Sequence, residues 1–270
     1  MPELPEVETT LRGIAPHIIN KPISSVIVRQ PSLRWPVPTV KLKDKLINKT
    51  FSEIQRRGKY LLIKSSEEYL IVHLGMSGSL RITQEKDLKK HDHIDIVFKD
   101  KSVLRYCDPR RFGCFLWTDN IDNHFLLKNL GPEPLSNSFN GKYLFTLSRK
   151  RKTPIKNFIM NSKNLVGVGN IYATEALFRS KIRPTKQAGK VSLERYEILS
   201  KEIVTILRKS IDQGGTTLRD FVGSDNKPGY FKQQLEVYGR QDKACKICSS
   251  ILKNVIIGQR SSVYCPQCQK

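Results

Sequence analysis

Four of the six cysteines lie near the end of the chain as two pairs, Cys245-x2-Cys248 and Cys265-x2-Cys268, separated by 16 residues. This spacing is typical of a four-cysteine zinc site, although four surface thiols or two disulfides are the alternatives. A reducing compartment disfavours disulfides. Because zinc with four thiolate ligands has no open coordination position, we expect one structural Zn²⁺. The segment "VIIGQRSSVYC" between the pairs predicts a β-hairpin with Arg260 near its tip.

The other end of the chain, "MPELPEVETT", places Pro2 among three glutamates, Glu3, Glu6 and Glu8. If Met1 is removed after synthesis, Pro2 carries a free secondary amine. A generic α-amine has a pKa of about 7.7–8.0, against about 10.4 for lysine, so roughly a tenth of it is unprotonated near pH 7. Such an amine is available as a nucleophile without burial.

Several basic and aromatic residues have spacings that suit DNA binding. In "YCDPRRFG", Arg110 and Phe112 point the same way on an extended chain. Together they could wedge into a base stack, although a solvated arginine and a core phenylalanine fit the pattern equally well. Met76, in the glycine-flanked turn "HLGMSG", is by itself better explained by core packing. Lys59, at a strand start, is by default a solvated lysine.

Two further features suit phosphate binding. The run "RKRK" at 149–152 is usually a solvated face, but the basic composition favours phosphate contacts. The segment "GVGN" places Asn170 at a helix N-terminus, which is a natural phosphate site. Glycines also simply end helices, so this pattern alone is weak.

The chain is strongly basic, with 47 Lys and Arg against 25 Asp and Glu and a formal net charge of +22. This charge predicts a polyanionic partner, most simply nucleic acid, with a membrane surface as the second choice. No apolar run is long enough to span a bilayer, and the charged N-terminal segment differs from a signal peptide. We therefore expect a cytoplasmic protein.

Hydrophobic periodicity divides the chain into two regions of different secondary structure. A helix is expected from Pro5, followed by short alternating runs typical of an antiparallel sandwich or barrel. After the linker "NLGPEPLSN" the periodicity becomes helical, with helices predicted to begin near Pro154, Asn170 and Ser192. The last of these should end at Gly214-Gly215.

Eight motifs together resemble one family, the bacterial formamidopyrimidine-DNA glycosylases, also called 8-oxoguanine DNA glycosylases. In chain order they are "PELPEVET", "RRGKYLL", "HLGMSG", "DPRRFG", "LGPEPL", "VGVGNIYATEALF", "QGGTTLRDF" and "YGR" with the cysteine segment. The resemblance implies an α+β fold. It comprises an N-terminal β-sandwich with a leading helix (1–130), a helix–two-turn–helix domain with a lesion-capping loop (131–235), and a zinc finger (236–270).

The resemblance also implies residue roles. Pro2 would form a Schiff base with the sugar, and the residues assisting it would be Glu3, Glu6, Lys59 and Arg260. Met76, Arg110 and Phe112 would fill the gap left by an extruded nucleotide. Further candidates for phosphate or base contacts are His73, His91, Arg151, Lys156, Asn170 and Tyr238. Residues 216–230 would form a loop that closes over the damaged base.

The expected partner is duplex DNA with an oxidised purine or an abasic site, preferably opposite cytosine, bound by a monomer in the bacterial cytoplasm and nucleoid. The expected activity combines base removal with strand cutting by β- and δ-elimination. One alternative is a glycosylase of the endonuclease VIII type, acting on oxidised pyrimidines, although Leu4 favours the formamidopyrimidine branch. A non-enzymatic DNA-binding protein is a second alternative. A third alternative, a membrane-surface protein, is not supported, because the sequence shows no basic amphipathic helix suited to that role.

Overall fold

The structure is a computed structural model that describes residues 1–84, 88–215 and 234–270. The predicted loop over 216–230 lies outside these residues. The chain forms two compact units. The first contains Met1–Lys128 with residues 213–215, and the second contains Asn129–Asp212 with residues 234–270.

The first unit begins with helix α1 (Leu4–Ile18), one residue earlier than the sequence predicted. It continues with two four-stranded antiparallel sheets and a short helix, α2 (Thr39–Leu46). One sheet has the order β1-β6-β7-β5, with strands Ile23–Val28, Asp92–Phe98, Ser102–Cys107 and Ser79–Gln84. The other has the order β2-β3-β4-β8, with strands Glu53–Arg57, Tyr60–Ser65, Glu68–His73 and Cys114–Thr118.

Both sheets contribute side chains to a single apolar core, so the predicted sandwich is confirmed. Ile96 and Leu104 of one sheet and Leu61 and Val72 of the other are almost completely buried in the same cluster. Helix α1 adds Val7, because its apolar positions recur at helical spacing. Burial of apolar surface on this scale is the main force that stabilises the unit.

The second unit is helical and ends in a hairpin. Its helices are α3 (Gly141–Ser148), α4 (Ile155–Met160), α5 (Asn170–Arg179) and α6 (Leu193–Asp212), with a short 3₁₀ turn at Ala188–Lys190. Helix α4 begins after Pro154, one residue later than expected. Helix α6 follows Ser192 as predicted, since the Ser192 hydroxyl accepts from Arg195 N.

The C-terminal hairpin pairs β9 (Lys253–Ile257) with β10 (Arg260–Tyr264) in antiparallel register. A buried cluster joins it to helix α5 through Phe178, Leu252 and Val263. Among the described residues, no helix has both the length and the apolar character needed to cross a bilayer.

Candidate functional site

The N-terminal end of helix α1 holds two of the predicted carboxylates. Pro2 is buried, and Glu3 and Glu6 are each only 2% exposed. Glu6 lies in the first turn, where its Oε2 accepts a hydrogen bond from Glu3 N at 2.8 Å. A carboxylate in the first turn is also stabilised by the positive end of the helix dipole. Glu6 therefore fixes the backbone of the residue that follows Pro2.

A salt bridge connects helix α1 to the turn that carries Lys59. Glu8 of α1 accepts from Arg56 Nε at 2.9 Å, and Arg56 Nη1 donates to Gly58 O at 3.1 Å. Gly58 precedes Lys59 in a two-residue hairpin turn and has a φ of +59°, which favours glycine. Arg56 thus holds the Lys59 turn against the helix that begins beside Pro2.

His73 ends strand β4 next to this turn, with its ring 4.8 Å from the ring of Tyr60. Burial, with smaller contributions from the charges of Lys59 and Arg34, lowers the pKa of His73 to about 4. The imidazole is therefore neutral near pH 7. Its Nδ1 accepts a hydrogen bond from Gly75 N at 2.9 Å, which places the ring proton on Nε2. His73 can thus donate a hydrogen bond from Nε2 without carrying a charge.

Met76, Arg110 and Phe112 lie on two turns, residues 74–78 and 108–113, that pack directly on each other. A β-carbon at Gly75 would lie 2.4 Å from Gly113 N, so only glycine permits this approach. Phe112 is 44% exposed and Met76 is half-buried, so neither is a core residue. The Arg110 guanidinium lies 4.9 Å from the centre of the Phe112 ring. The two packed turns therefore carry Met76 on one and an adjacent ring and cation on the other.

His91 is half-buried and connects to the second of these turns through its backbone. Its carbonyl accepts from Asp108 N at 3.1 Å, and its ring lies 6.3 Å from that of His93. The first unit therefore brings Lys59, His73, Met76, Arg110 and Phe112 together through neighbouring turns, with His91 at their edge.

In the second unit, Asn170 is the first residue of helix α5, as the sequence predicted. Its buried Oδ1 has no hydrogen-bond partner among the described residues. The first turn of the helix supplies backbone N–H groups beside it, which is the arrangement that binds anions. Arg151, in the loop before α4, is exposed.

Tyr238 is positioned by a buried carboxylate that the sequence analysis missed. Glu175 of helix α5 accepts from the backbone N–H groups of Glu236, Val237 and Tyr238 at 2.7 to 2.9 Å. Burial raises the pKa of Glu175, although these three donors act in the opposite direction. A glutamate within a helical motif gives no sequence signal for such a role.

The zinc-finger hairpin is attached to helix α4 by Lys156 and Asn157. Lys156 is fully buried, and its Nζ donates to Ser261 O at 2.9 Å and to Ser262 Oγ at 2.6 Å. A β-carbon at Gly258 would lie 2.8 Å from Asn157 Nδ2. Arg260 is exposed and starts β10 directly after the Gly258-Gln259 turn, as predicted. The Lys156 ammonium thus faces the hairpin rather than solvent.

The four C-terminal cysteines converge on one point. Their sulfur atoms lie within 4.8 Å of one another, with Cys248 Sγ 3.4 Å from Cys265 Sγ and 3.5 Å from Cys268 Sγ. These separations exceed the roughly 2.05 Å of a disulfide and are close to the ~3.8 Å edge of a tetrahedral zinc–thiolate site. Backbone N–H groups of Ile247 and Cys268 donate to Cys245 Sγ and Cys265 Sγ. The donor set fits a structural zinc ion.

Three family models match the chain in order. The N-terminal domain of formamidopyrimidine-DNA glycosylase matches residues 1–115, and the H2TH domain of the same enzyme matches residues 130–222. A zinc finger found in that enzyme and in isoleucyl-tRNA synthetase matches residues 242–270.

Curated relatives resemble the chain over its whole length. A formamidopyrimidine-DNA glycosylase of Saccharophagus degradans is 57% identical, and one of Magnetococcus marinus is 54% identical. In both comparisons the alignment covers 100% of each chain.

Solved structures of similar fold include a point mutant of Lactococcus lactis Fpg bound to DNA containing Fapy-dG. It is 33% identical with a TM-score of 0.93, over 100% of both chains. The L. lactis Fpg complex with abasic-site DNA has a TM-score of 0.91 at 33% identity, over 99% of both chains. A MutM complex with DNA containing carbocyclic 8-oxo-G gives the same score and identity over 100% of both chains.

Proposed function

The chain belongs to the formamidopyrimidine-DNA glycosylase family, and we propose that Pro2 is the nucleophile with which it removes oxidised purines from duplex DNA. It is a DNA glycosylase and AP lyase of base excision repair, as its relatives at 53–57% identity and the solved DNA complexes of this fold indicate. One observation carries the assignment of roles: the helix that begins beside Pro2 is joined by Arg56 to the turn that presents Lys59.

The proposed reaction begins with the amine of Pro2 after removal of Met1. Its nitrogen attacks C1′ of the damaged nucleotide, the glycosidic bond breaks, and the base leaves with the bonding electrons and takes up a proton. Opening of the sugar gives an iminium on the proline nitrogen. Because a secondary amine forms an iminium without an N–H, the adduct stays cationic at every pH and accepts electrons.

The electron-accepting iminium promotes strand cutting. Removal of a C2′ proton expels the 3′ phosphate by β-elimination, and δ-elimination then expels the 5′ phosphate. Glu3 is assigned as general acid and base at the sugar, and Glu6 as the support of the amine and the helix end. Lys59 serves the sugar or its phosphate, and Arg260 contacts phosphates and assists the later elimination.

Met76, Arg110 and Phe112 are assigned to the space left by the extruded nucleotide. Extrusion costs stacking energy, which an inserted ring and thioether partly restore. The exposure of Phe112 and its contact with the Arg110 guanidinium support this role. Arg110 faces the orphaned base and accounts for a preference for cytosine.

The remaining contacts position the DNA backbone. His73, His91, Arg151, Asn170 and Tyr238 are assigned to phosphate or base contacts, with Asn170 supported by its place at the N-terminus of helix α5. Lys156 was predicted to contact DNA directly. Because its Nζ is bonded to Ser261 and Ser262, we assign it instead to positioning the hairpin.

Zinc held by Cys245, Cys248, Cys265 and Cys268 stabilises the hairpin that presents Arg260. We retain the domain boundaries 1–130, 131–235 and 236–270 as proposals, together with a cytoplasmic, nucleoid-associated location and a monomeric enzyme.

The substrate is tested by single-turnover excision from duplexes that differ only in the lesion. We expect 8-oxoguanine opposite cytosine to be removed faster than thymine glycol. The reverse order would favour the endonuclease VIII-type alternative. A solved complex of L. lactis Fpg with DNA containing an oxidised pyrimidine makes this comparison necessary, because a relative accommodates such DNA.

The nucleophile is tested by borohydride trapping on 8-oxoguanine duplex. We expect the wild-type protein to form a covalent adduct that is lost in protein that retains Met1 and is reduced in yield in Pro2→Gly, whose terminal amine is primary. Pro5→Ala is the matched control, since it changes the other proline of the segment and leaves the Pro2 amine intact. No adduct with zinc-loaded wild-type protein would leave only a DNA-binding role.

A further inference from the structure

Asp108 is a completely buried carboxylate between the 74–78 and 108–113 turns. Its Oδ1 accepts from Ser77 Oγ at 2.9 Å and from Arg110 N at 3.3 Å. Its Oδ2 accepts from Gly113 N at 2.9 Å and from the Tyr106 hydroxyl at 3.1 Å. Four donors from both turns and from strand β7 therefore meet on one side chain.

These bonds fix the residues that present the exposed side chains. The bonded residues Arg110 and Gly113 lie on either side of Phe112 in the chain, and the bonded Ser77 directly follows Met76. Arg110 N also lies 3.3 Å from Ser77 Oγ, which closes a triangle with Asp108. The backbone of the 108–113 turn is further held by His93 Nε2, which lies 2.8 Å from Asp108 O.

Close backbone contacts make the two turns sensitive to this anchor. A β-carbon at Gly75 would lie 2.4 Å from Gly113 N and 2.5 Å from Phe112 C, so the two turns have no spare room between them. A displacement of one turn therefore displaces the other.

We propose that Asp108 is a positioning residue that determines opposite-base selectivity by holding the 74–78 and 108–113 turns as one rigid unit. The inference rests on the proposed function of Met76, Arg110 and Phe112. Asp108 itself is buried and does not touch DNA; it acts through the orientation of Arg110. Loss of the anchor leaves Arg110 able to adopt several orientations, so that cytosine is no longer distinguished from adenine.

The role requires a carboxylate because two of its four donors cannot reorient. Hydroxyl groups of Ser77 and Tyr106 can rotate, whereas the backbone N–H groups of Arg110 and Gly113 cannot. In Asp108→Asn, the amide nitrogen must face one of these two N–H groups in either orientation. The variant keeps the shape of the side chain and loses one backbone anchor, so we expect it to fold.

The experiment measures the ratio of single-turnover excision rates for 8-oxoguanine opposite cytosine and opposite adenine. We expect the ratio to fall about tenfold in Asp108→Asn, the factor for one hydrogen bond to a charged group. Ser77→Ala should lower it in the same direction, because it removes the side-chain link to the 74–78 turn. Ser65→Ala is the matched control, since it truncates another buried serine of the same unit, bonded to Thr50 O.

Circular dichroism and zinc content establish that each variant is folded at the assay temperature. A folded Asp108→Asn whose ratio stays within about twofold of wild type overturns the inference, as does a wild-type protein that does not distinguish the two bases. If Asp108→Asn does not fold, Ser77→Ala is judged by the same criterion. A wild-type protein that excises 8-oxoguanine from neither duplex and forms no borohydride adduct overturns the proposed function instead.

Discussion

His73 combines burial with a hydrogen-bond role in a way that depends on pH. Its ring is neutral near pH 7, and Gly75 N donates to its Nδ1 at 2.9 Å. Protonation would place a hydrogen on Nδ1 and abolish that bond. The protonation state of His73 therefore affects the backbone of the 74–78 turn through Gly75, and the charge of Lys59 acts on the same ring.

We predict that His73 destabilises the protein in mild acid. Its pKa is about 4 in the folded protein against an ordinary value of 6.5, so the unfolded chain takes up a proton first as the pH falls. His73 therefore does not lower the free energy of unfolding above pH 6.5, and it lowers that free energy progressively as the pH falls from 6.5 towards 4. Urea unfolding at pH 7.5 and 5.0 measures this loss.

His73→Asn provides the control, because asparagine can accept from Gly75 N and does not titrate. We expect its free energy of unfolding to decrease less than that of wild type between the two pH values. Zinc release in acid affects both proteins, so the difference between them isolates His73. Equal decreases would contradict the assignment.

At the scale of secondary-structure elements, α1 and the β2–β3 hairpin are joined by Glu8, which binds both Arg12 and Arg56. The side chain of Arg12 is 59% exposed and that of Arg56 is 10% exposed. Exposed ion pairs contribute little, whereas Arg56 also bonds Gly58 O. Both arginines therefore bind the same carboxylate, but only Arg56 links it to the turn that carries Lys59.

We predict that Arg56→Ala lowers the single-turnover excision rate by about tenfold to a hundredfold, because a small displacement of Lys59 from the Pro2 end of α1 misplaces reacting groups. Arg12→Ala should remain near the wild-type rate. The comparison uses saturating enzyme, so that weaker DNA binding does not contribute. Equal effects of the two substitutions would show that the Arg56 contact does not position the site.

We predict that Lys156→Met loosens the zinc-finger hairpin. Ser261 O and Ser262 Oγ would lose their charged donor, at a cost of about 1–3 kcal/mol in the free energy of unfolding. The substitution should also weaken binding to abasic-site DNA while zinc content stays at one per chain. Exposed Lys152→Met is the control for the loss of one positive charge. A larger effect of Lys152→Met than of Lys156→Met on DNA binding would contradict this role.

The sequence predicted elements well where apolar periodicity was strong and clear capping or helix-ending residues were present, as for α6 between Ser192 and Gly214. It missed α2 and α3, because each has only eight residues, about two turns, which is too short for helical periodicity to be recognised. The four cysteines were recognised because metal binding requires fixed spacing. The contacts of Glu175 were not, since its donors are backbone N–H groups 61 to 63 residues away. Those of Asp108 were not, since they include the Ser77 hydroxyl, 31 residues earlier in the chain.

At the scale of the whole molecule, the net charge of +22 predicts strongly salt-dependent DNA binding. Each phosphate neutralised by the protein releases counterions, so the logarithm of the binding constant should fall linearly with the logarithm of salt concentration. Titration of undamaged duplex at several salt concentrations measures the slope. A flat response would contradict the assignment of the basic residues to phosphates.

Removal of zinc should affect the second unit without unfolding the first. The hairpin packs on a small cluster that includes Cys245 and Cys265, so it depends on the metal, whereas the sandwich has its own large core. We expect chelation to weaken DNA binding and to leave the β-sheet circular dichroism signal. Unchanged DNA binding after verified zinc removal would contradict this prediction.

The proposed mechanism depends most on which amine bonds to the sugar. Peptide mapping of the borohydride-trapped adduct by mass spectrometry tests this directly, since Lys59 provides a second amine near the same helix. We predict that the label lies on an N-terminal peptide that begins with Pro2 and lacks Met1. A label on Lys59, or full strand cutting by protein that retains Met1, would contradict the mechanism.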